Sequence, residues 1–184
     1  MSLAVLVASA GAAADRAEPR APHVTRNVCP SEGCAYGTWI ARSRLTAYAA
    51  EGDTSKIAFP VRPGERFTAL RGNVHALKLG VIAVTAPVEG AAGHRLRPGD
   101  RAWVLSYRGE GRYDLWHAGR LMTLEAFWEP LAANGRVAGV MRTRPQLMWW
   151  VLIKTKGGRQ GWLRLRNVAE HGFEMTEDIC MRPC

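Results

Sequence analysis

Four cysteines are the residues whose spacing most directly suggests chemistry. They form two close pairs, Cys29 with Cys34 in CPSEGC and Cys180 with Cys184 in CMRPC. Two such pairs could supply four thiolates to zinc, but zinc knuckles usually place two residues between partners, whereas four and three residues intervene here. The redox spacing C-x-x-C does not occur either. An even number of cysteines in an exported chain favours disulfides, so we predict four disulfide-bonded cysteines and no metal or other cofactor.

Three connectivities are open to four cysteines, and the sequence does not choose between them. Bridges within each pair would close short loops and restrain the unfolded chain by about 2 kcal/mol each. A bridge joining the two ends would close a loop of roughly 150 residues, for about 5 kcal/mol on the same loop-entropy estimate. Because the termini of small β domains often lie close together, we expect at least one end-to-end bridge.

Groups that could catalyse a reaction are sparse and poorly spaced. The histidines show neither the H-x-x-x-H nor the H-E-x-x-H spacing of a helical zinc site, and no serine lies in the nucleophile motif G-x-S-x-G. The five histidines are His23, His75, His94, His117 and His171. His117 lies at a predicted hairpin tip, where we expect an exposed side chain. The carboxylate pairs Glu110 with Asp114 and Glu125 with Glu129 could be imagined as acid and base, but a solvent-exposed position is the simpler interpretation. We therefore predict no catalytic residues.

The first residues resemble an export signal. A continuous apolar run from Leu3 to Ala8 precedes small residues that fit a cleavage site before Asp15, although the usual basic start is missing. The run is too short for a bilayer, which requires ~20 apolar residues. We interpret residues 1–14 as a signal peptide remnant and 15–28 as a flexible leader, and we expect a periplasmic or secreted protein without an integral membrane span in the mature chain.

The net charge of +9 could suggest a polyanionic partner. The arginines that supply this charge are scattered singly through predicted strands and turns. The densest cluster, LRLRN at 163–167, alternates apolar with basic residues, as in a strand with one solvent-exposed face. The composition thus disfavours nucleic acid as the partner. It leaves room for weak attraction to anionic polymers of a cell envelope.

Short runs of β-branched and aromatic residues separated by turn signals predict an all-β protein. Two of these turns repeat, since VRPGERFTAL at 61–70 and LRPGDRAWVL at 96–105 share an Arg-Pro-Gly-acid-Arg core. Turns are also expected near Leu79 and Gly80 and at Lys156–Gly158. The segment TLEAFWEPLAANGR at 123–136 is the one helical candidate, with a cap at Thr123 and apolar side chains at helical spacing.

The segments CPSEGCAYGTW, FPVRPGERFTALRG and especially WWVLIKTKGGRQGWL resemble bacterial SH3-like (SH3b-type) domains, a family of exported small β-barrels. The resemblance covers residues 29–166. It implies two related SH3-like units, 29–95 and 96–184, and a binding role without a catalytic set. We expect the last hairpin, 148–166, to complete the first barrel, which would nest the second unit; a plain tandem is the alternative.

The resemblance further implies a ligand groove lined by aromatic side chains. Five residues are predicted to contribute: Tyr36, Trp39, Tyr107, Trp149 and Trp150. The expected function is a non-catalytic binding module of the cell envelope that recognises a peptide, a glycan such as peptidoglycan, or a protein. The alternatives are an enzyme associated with cell-wall hydrolysis or peptidase-like chemistry, and a structural interaction subunit. The sequence determines neither the ligand nor the oligomeric state.

Overall fold

The computed structural model confirms an all-β protein. It describes residues 18–30, 35–90, 93–130, 136–166 and 173–175. Within these ranges there are fifteen strands and no α-helix. The strands are β1 (His23–Arg26), β2 (Gly37–Ala41), β3 (Leu45–Ala50), β4 (Asp53–Val61), β5 (Arg66–Lys78), β6 (Gly80–Val84), β7 (Val88–Glu89), β8 (Arg95–Leu96), β9 (Arg101–Gly109), β10 (Arg112–His117), β11 (Arg120–Glu125), β12 (Gly139–Thr143), β13 (Gln146–Thr155), β14 (Gln160–Leu165) and β15 (Phe173–Met175).

The strands form two main antiparallel sheets. The first has the order β15-β2-β5-β13-β14-β3-β4, with β1 pairing the second half of β5, and the second has the order β11-β10-β9-β6-β12. The two short strands β7 and β8 pair with each other. Five strands of the first sheet lie side by side in the order β14-β13-β5-β2-β15, and the five strands of the second sheet lie in the order β11-β10-β9-β6-β12. When each set is numbered from one to five along the chain, both sheets have the same strand order, 4-3-2-1-5.

The second sheet is nested within the first along the chain. Its strands run from Gly80 to Thr143, while the hairpin of β13 and β14 returns to the first sheet and pairs with β5 and β3. The change of sheet between Lys78 and Gly80 lies well before the predicted unit boundary at residue 95. The predicted hairpin at this point is wrong, because β6 pairs with β9 and β12 instead of β5. Leu79 is buried there rather than turned to solvent.

The repeated Arg-Pro-Gly-acid segments form the same turn in both sheets. In each turn the acid accepts a bond from the arginine amide: Glu65 Oε2 lies 3.0 Å from Arg62 N, and Asp100 Oδ2 lies 2.7 Å from Arg97 N. Gly64 and Gly99 adopt φ values of 80° and 92°, which side chains with a Cβ seldom tolerate. Both glycine amides then donate to the strand that pairs with the one after the turn, at Ala41 O in β2 and Val84 O in β6. The sequence repeat is therefore a structural repeat.

Two segments have a structure different from the one predicted from the sequence. The helix expected from Thr123 is absent from the described part of 123–136, because Arg120–Glu125 is β11 and pairs along the whole of β10. Thr123 donates its hydroxyl to Asp114 instead of capping a helix. Within the predicted flexible leader, His23–Arg26 forms β1, because its alternating residues pair in register with Asn73–Ala76. The predicted signal remnant, residues 1–14, lies outside the described residues.

Each sheet packs against its own apolar core, and a third cluster joins the two cores. Trp39, Phe67 and Trp149 belong to the first core, and Ile82, Leu115 and Phe127 to the second. The joining cluster combines Ala76 and Leu79 with Trp103 and Leu105 from β9, and Leu147 packs against it. The junction between the sheets is thus apolar.

Candidate functional site

An open groove of about 610 Å³ lies where the second sheet meets the entry to β13. Its second-sheet wall carries three aromatic side chains, Tyr107 at the end of β9, Tyr113 at the start of β10, and Trp128 in the turn after β11. Pro145 and Leu147 form the wall at the entry to β13, and Pro30 approaches from beside Cys29. The groove is therefore built by residues far apart in the sequence.

The three aromatic rings form a continuous ladder. Tyr107 and Tyr113 have ring centroids 4.9 Å apart, and Tyr113 and Trp128 are 5.0 Å apart and edge-to-face. The β-bulge between Arg112 and Tyr113 brings Tyr113 opposite Tyr107. Phe127 packs edge-to-face against Trp128 at 5.2 Å from within the core. Such tilted contacts are favourable for aromatic rings, so the ladder is a pre-formed apolar wall in which Tyr107 and Tyr113 are partly exposed and Trp128 is largely buried.

The polar rim of the groove consists of Arg144 and Glu129, which are both exposed. Burial, followed by the charge of Glu129, raises the pKa of the Tyr113 phenol above its ordinary value. The phenol therefore stays protonated at neutral pH and can donate a hydrogen bond. The Tyr107 hydroxyl accepts a hydrogen bond from the backbone amide of Gly111 at 3.1 Å, and this bond fixes the ring against the β9–β10 turn.

Of the five predicted ligand-binding residues, Tyr107 lies in this groove and four lie elsewhere. Trp39, Trp149 and Trp150 are at most 3% exposed, so the structure does not place these three side chains in an open groove. Trp39 and Trp149 pack together in the first core, with centroids 5.6 Å apart. Tyr48 and His75 cover Trp150 on the opposite face of β13. Tyr36 is partly buried, and its hydroxyl donates to Val28 O at 2.9 Å.

Sequence reasoning missed Tyr113 and Trp128. Tyr113 was not among the five predicted groove residues, and Trp128 was assigned to the absent helix. A strand pattern extended through residues 112–117 would have paired this segment with β9, but the position of Tyr113 opposite Tyr107 depends on the β-bulge between Arg112 and Tyr113. The close approach of Trp128 depends on the turn after β11, where Ala126 N donates to Gly111 O and Glu129 N to Ala126 O.

The cysteine prediction falls largely outside the described residues. Cys29 is disulfide-bonded, and Cys34, Cys180 and Cys184 lie outside the described ranges. Because Pro30 lines the groove, the segment held at Cys29 borders the aromatic ladder.

A second polar constellation connects the repeated turn with the tip of β10. His94 Nε2 lies 2.7 Å from His117 Nδ1, and His117 Nε2 lies 3.3 Å from Asp100 Oδ2. The carboxylate accepts from Nε2, which leaves His117 Nδ1 to accept from His94. His117 is 8% exposed, so its prediction as an exposed tip residue is wrong. A cavity of about 270 Å³ adjoins it.

Two further polar networks tie strands together. Glu51 accepts from Asn73 Nδ2 at 2.7 Å and contacts His75 Nε2 at 2.6 Å, which fixes the β3–β4 turn onto β5. In the second sheet, buried Asp114 accepts from Ser106, Arg108 and Thr123. Since the carboxylate oxygens are occupied by bonds within the sheet, a structural role explains Asp114.

Within the described ranges, His, Cys, Asp and Glu form no group of three or more able to hold a metal ion. The same residues contain no helix long and apolar enough to cross a membrane. Comparison with known proteins found no matching family model, curated protein or solved structure.

Proposed function

We propose that this chain is a non-catalytic binding module of the bacterial cell envelope, built from two nested SH3-like units, which recognises an extended partner through the aromatic groove. The observation that carries the proposal is the ladder of Tyr107, Tyr113 and Trp128 along an open groove. Binding sites are typically apolar concavities with a few fixed polar groups. Here the Tyr113 phenol, Arg144 and Glu129 supply those groups.

The SH3-like assignment is supported by the matching strand order of the two sheets and by the shared Arg-Pro-Gly-acid turn. The disulfide at Cys29 supports an oxidising compartment, either the periplasm or the outside of the cell. We further propose that the four cysteines are all bridged and that at least one bridge joins the two ends of the chain. Peptide mapping of the unreduced protein tests this pairing.

Sedimentation with purified peptidoglycan at low and at physiological salt tests the binding function. We expect retention at both salt concentrations, because ring contacts are insensitive to screening, unlike exposed charges. Tyr107→Ala should weaken retention about three- to tenfold, which corresponds to the loss of one aromatic contact. Absence of retention at both salt concentrations would remove peptidoglycan as the partner.

Tyr107→Phe and Leu121→Ala are the matched controls. Phe keeps the ring and loses the acceptor for Gly111 N, so retained binding would assign the effect of Tyr107→Ala to the ring. Leu121 is 57% exposed on β11 and does not line the groove. If Tyr107→Ala and Leu121→Ala reduced retention on peptidoglycan equally, the result would contradict binding through the groove.

A further inference from the structure

The outer face of the first sheet carries a row of side chains that the proposed groove does not use. Strand register aligns Arg71 with Leu152, Leu152 with Trp162, Trp162 with Tyr48, and Tyr48 with Ile57. We call Arg71, Leu152, Trp162, Tyr48 and Ile57 the cross-strand row. It crosses five strands, β5-β13-β14-β3-β4, and at ~4.8 Å per strand interval its length is about 19 Å.

Apart from Arg71, the cross-strand row consists of aliphatic and aromatic side chains, and it is accessible. Ile57 is 66% exposed, while Leu152, Trp162 and Tyr48 are each half-buried. Farther along the same face, Asn73 and His75 are buried beneath Glu51 of the β3–β4 turn, and Trp150 is buried beneath Tyr48 and His75. The sheet therefore covers one half of this face with its own residues and leaves the other half open.

The charges around the cross-strand row are positive. The Arg71 guanidinium lies 5.7 Å from the Trp162 ring centroid. Alternation along β13 and β14 places Lys154 on the face of Leu152 and Arg164 on the face of Trp162, and both are exposed. Glu51 lies at the covered end, where its two oxygens contact Asn73 and His75. The open half thus combines flat apolar side chains with cations.

The strand pairing limits what can bind there. Along the cross-strand row, β5, β13, β14 and β3 are each paired on both sides, and among the described strands β4 ends the sheet. An extended peptide could therefore add a strand beside β4 but not across this face. Recognition must come from side chains. Single-stranded nucleic acid is held by successive aromatic platforms, but here aliphatic Leu152 and Ile57 flank the two aromatic residues. The C–H faces of sugar rings suit aromatic and aliphatic side chains alike.

We propose that the cross-strand row binds an acidic polysaccharide, with sugar rings stacked on Trp162 and Tyr48 and sugar carboxylates paired with Arg71 and Arg164. Arginine binds carboxylates through two parallel hydrogen bonds, and the net charge of +9 favours approach of a polyanion. The site is separate from the aromatic groove and does not depend on the function proposed for it.

Titration of the full chain with a defined oligouronate tests the proposal, with a neutral glucan of equal length and a single-stranded oligothymidylate as comparisons. We expect the oligouronate to bind most tightly, and more weakly at higher salt. Arg71→Gln should weaken binding about two- to fivefold, as expected for one exposed ion pair. Ile57→Ser should weaken it by a similar factor through lost apolar contact, and the exposure of Ile57 keeps the fold intact.

Arg120→Gln is the matched control, because it removes the same charge from an exposed position in the second sheet. If it weakens binding as much as Arg71→Gln, the attraction is a property of net charge and the cross-strand row is not a site. Tighter binding of the oligothymidylate or of the neutral glucan would also overturn the proposal. Tyr107→Ala should leave oligouronate binding unchanged, which separates this result from that of the peptidoglycan experiment.

Discussion

Gly72 lies buried in β5 beneath the side chains of Trp149 and Tyr36. A Cβ at this position would overlap Trp149 Nε1 and would lie 2.6 Å from Tyr36 Oη. Both rings are fixed by the first core, so Gly72→Ala must displace one of them. We expect the free energy of unfolding to fall by about 1–3 kcal/mol, the usual cost of overpacking, measured by chemical denaturation.

Gly157→Ala is the control, since its Cβ would meet only Thr155 Oγ1 at 3.9 Å in the exposed β13–β14 turn. We expect little change in stability there. If Gly72→Ala reduced the free energy of unfolding as little as Gly157→Ala does, Trp149 would be able to move aside, and its packing would be looser than the structure indicates.

His23 introduces a pH dependence at the junction of the sheets. Burial lowers its pKa from the ordinary 6.5, and the charge of Asp114 only partly opposes this effect. The unfolded chain therefore takes up the proton first as the pH falls, so stability present above pH 6.5 is lost below it. We expect the melting temperature to fall from pH 7.5 to 5 by less in His23→Gln than in the wild type. Parallel pH profiles would contradict this role.

Individual residues were the hardest to predict from the sequence. Trp149 and Trp150 lie on opposite faces of one strand, as alternation requires, but the sequence could not show that the first core covers Trp149 and that Tyr48 and His75 cover Trp150. Tyr107 was among the predicted residues because the resemblance implied an aromatic groove residue in the second unit. Tyr113 was missed because a β-bulge, which leaves no sequence signal, brings it opposite Tyr107.

At the scale of elements, the repeated turn offers a comparison within one molecule. Glu65→Ala removes the bond to Arg62 N, whereas Asp100→Ala removes the bond to Arg97 N together with the contact to His117. We expect Glu65→Ala to reduce the free energy of unfolding by about 1 kcal/mol and Asp100→Ala to reduce it clearly more. Urea denaturation measures both changes. An equal cost would show that the Asp100–His117–His94 chain adds nothing to stability.

Turns and strands were largely predictable because proline and glycine preset the backbone in both repeats. The helix prediction failed at Leu124 and Phe127, because helical spacing over a few residues also fits a strand followed by a turn. Leu79–Gly80 looked like a hairpin for a related reason. Local sequence does not reveal that the next strand pairs with a different sheet.

At the scale of the whole molecule, the nesting of the second sheet makes its removal feasible. Lys78 and Gln146 are directly paired across β5 and β13, so a two-residue Asn-Gly turn can join them in place of residues 79–145. The strand path of the first sheet remains complete in such a chain. We expect it to fold with its β-type circular dichroism retained, because the first core contains no residue from the removed segment.

The shortened chain should nevertheless be less stable than the full protein. It loses the partners of Ala76 and Leu147 in the joining cluster, namely Leu79, Trp103 and Leu105, and exposure of those two side chains corresponds to about 1–3 kcal/mol. The reciprocal fragment, 80–143, contains all five strands of the second sheet and tests whether that sheet folds by itself. If neither piece folds, the apolar junction makes the two sheets one cooperative unit, and the insertion is an integral part of a single domain.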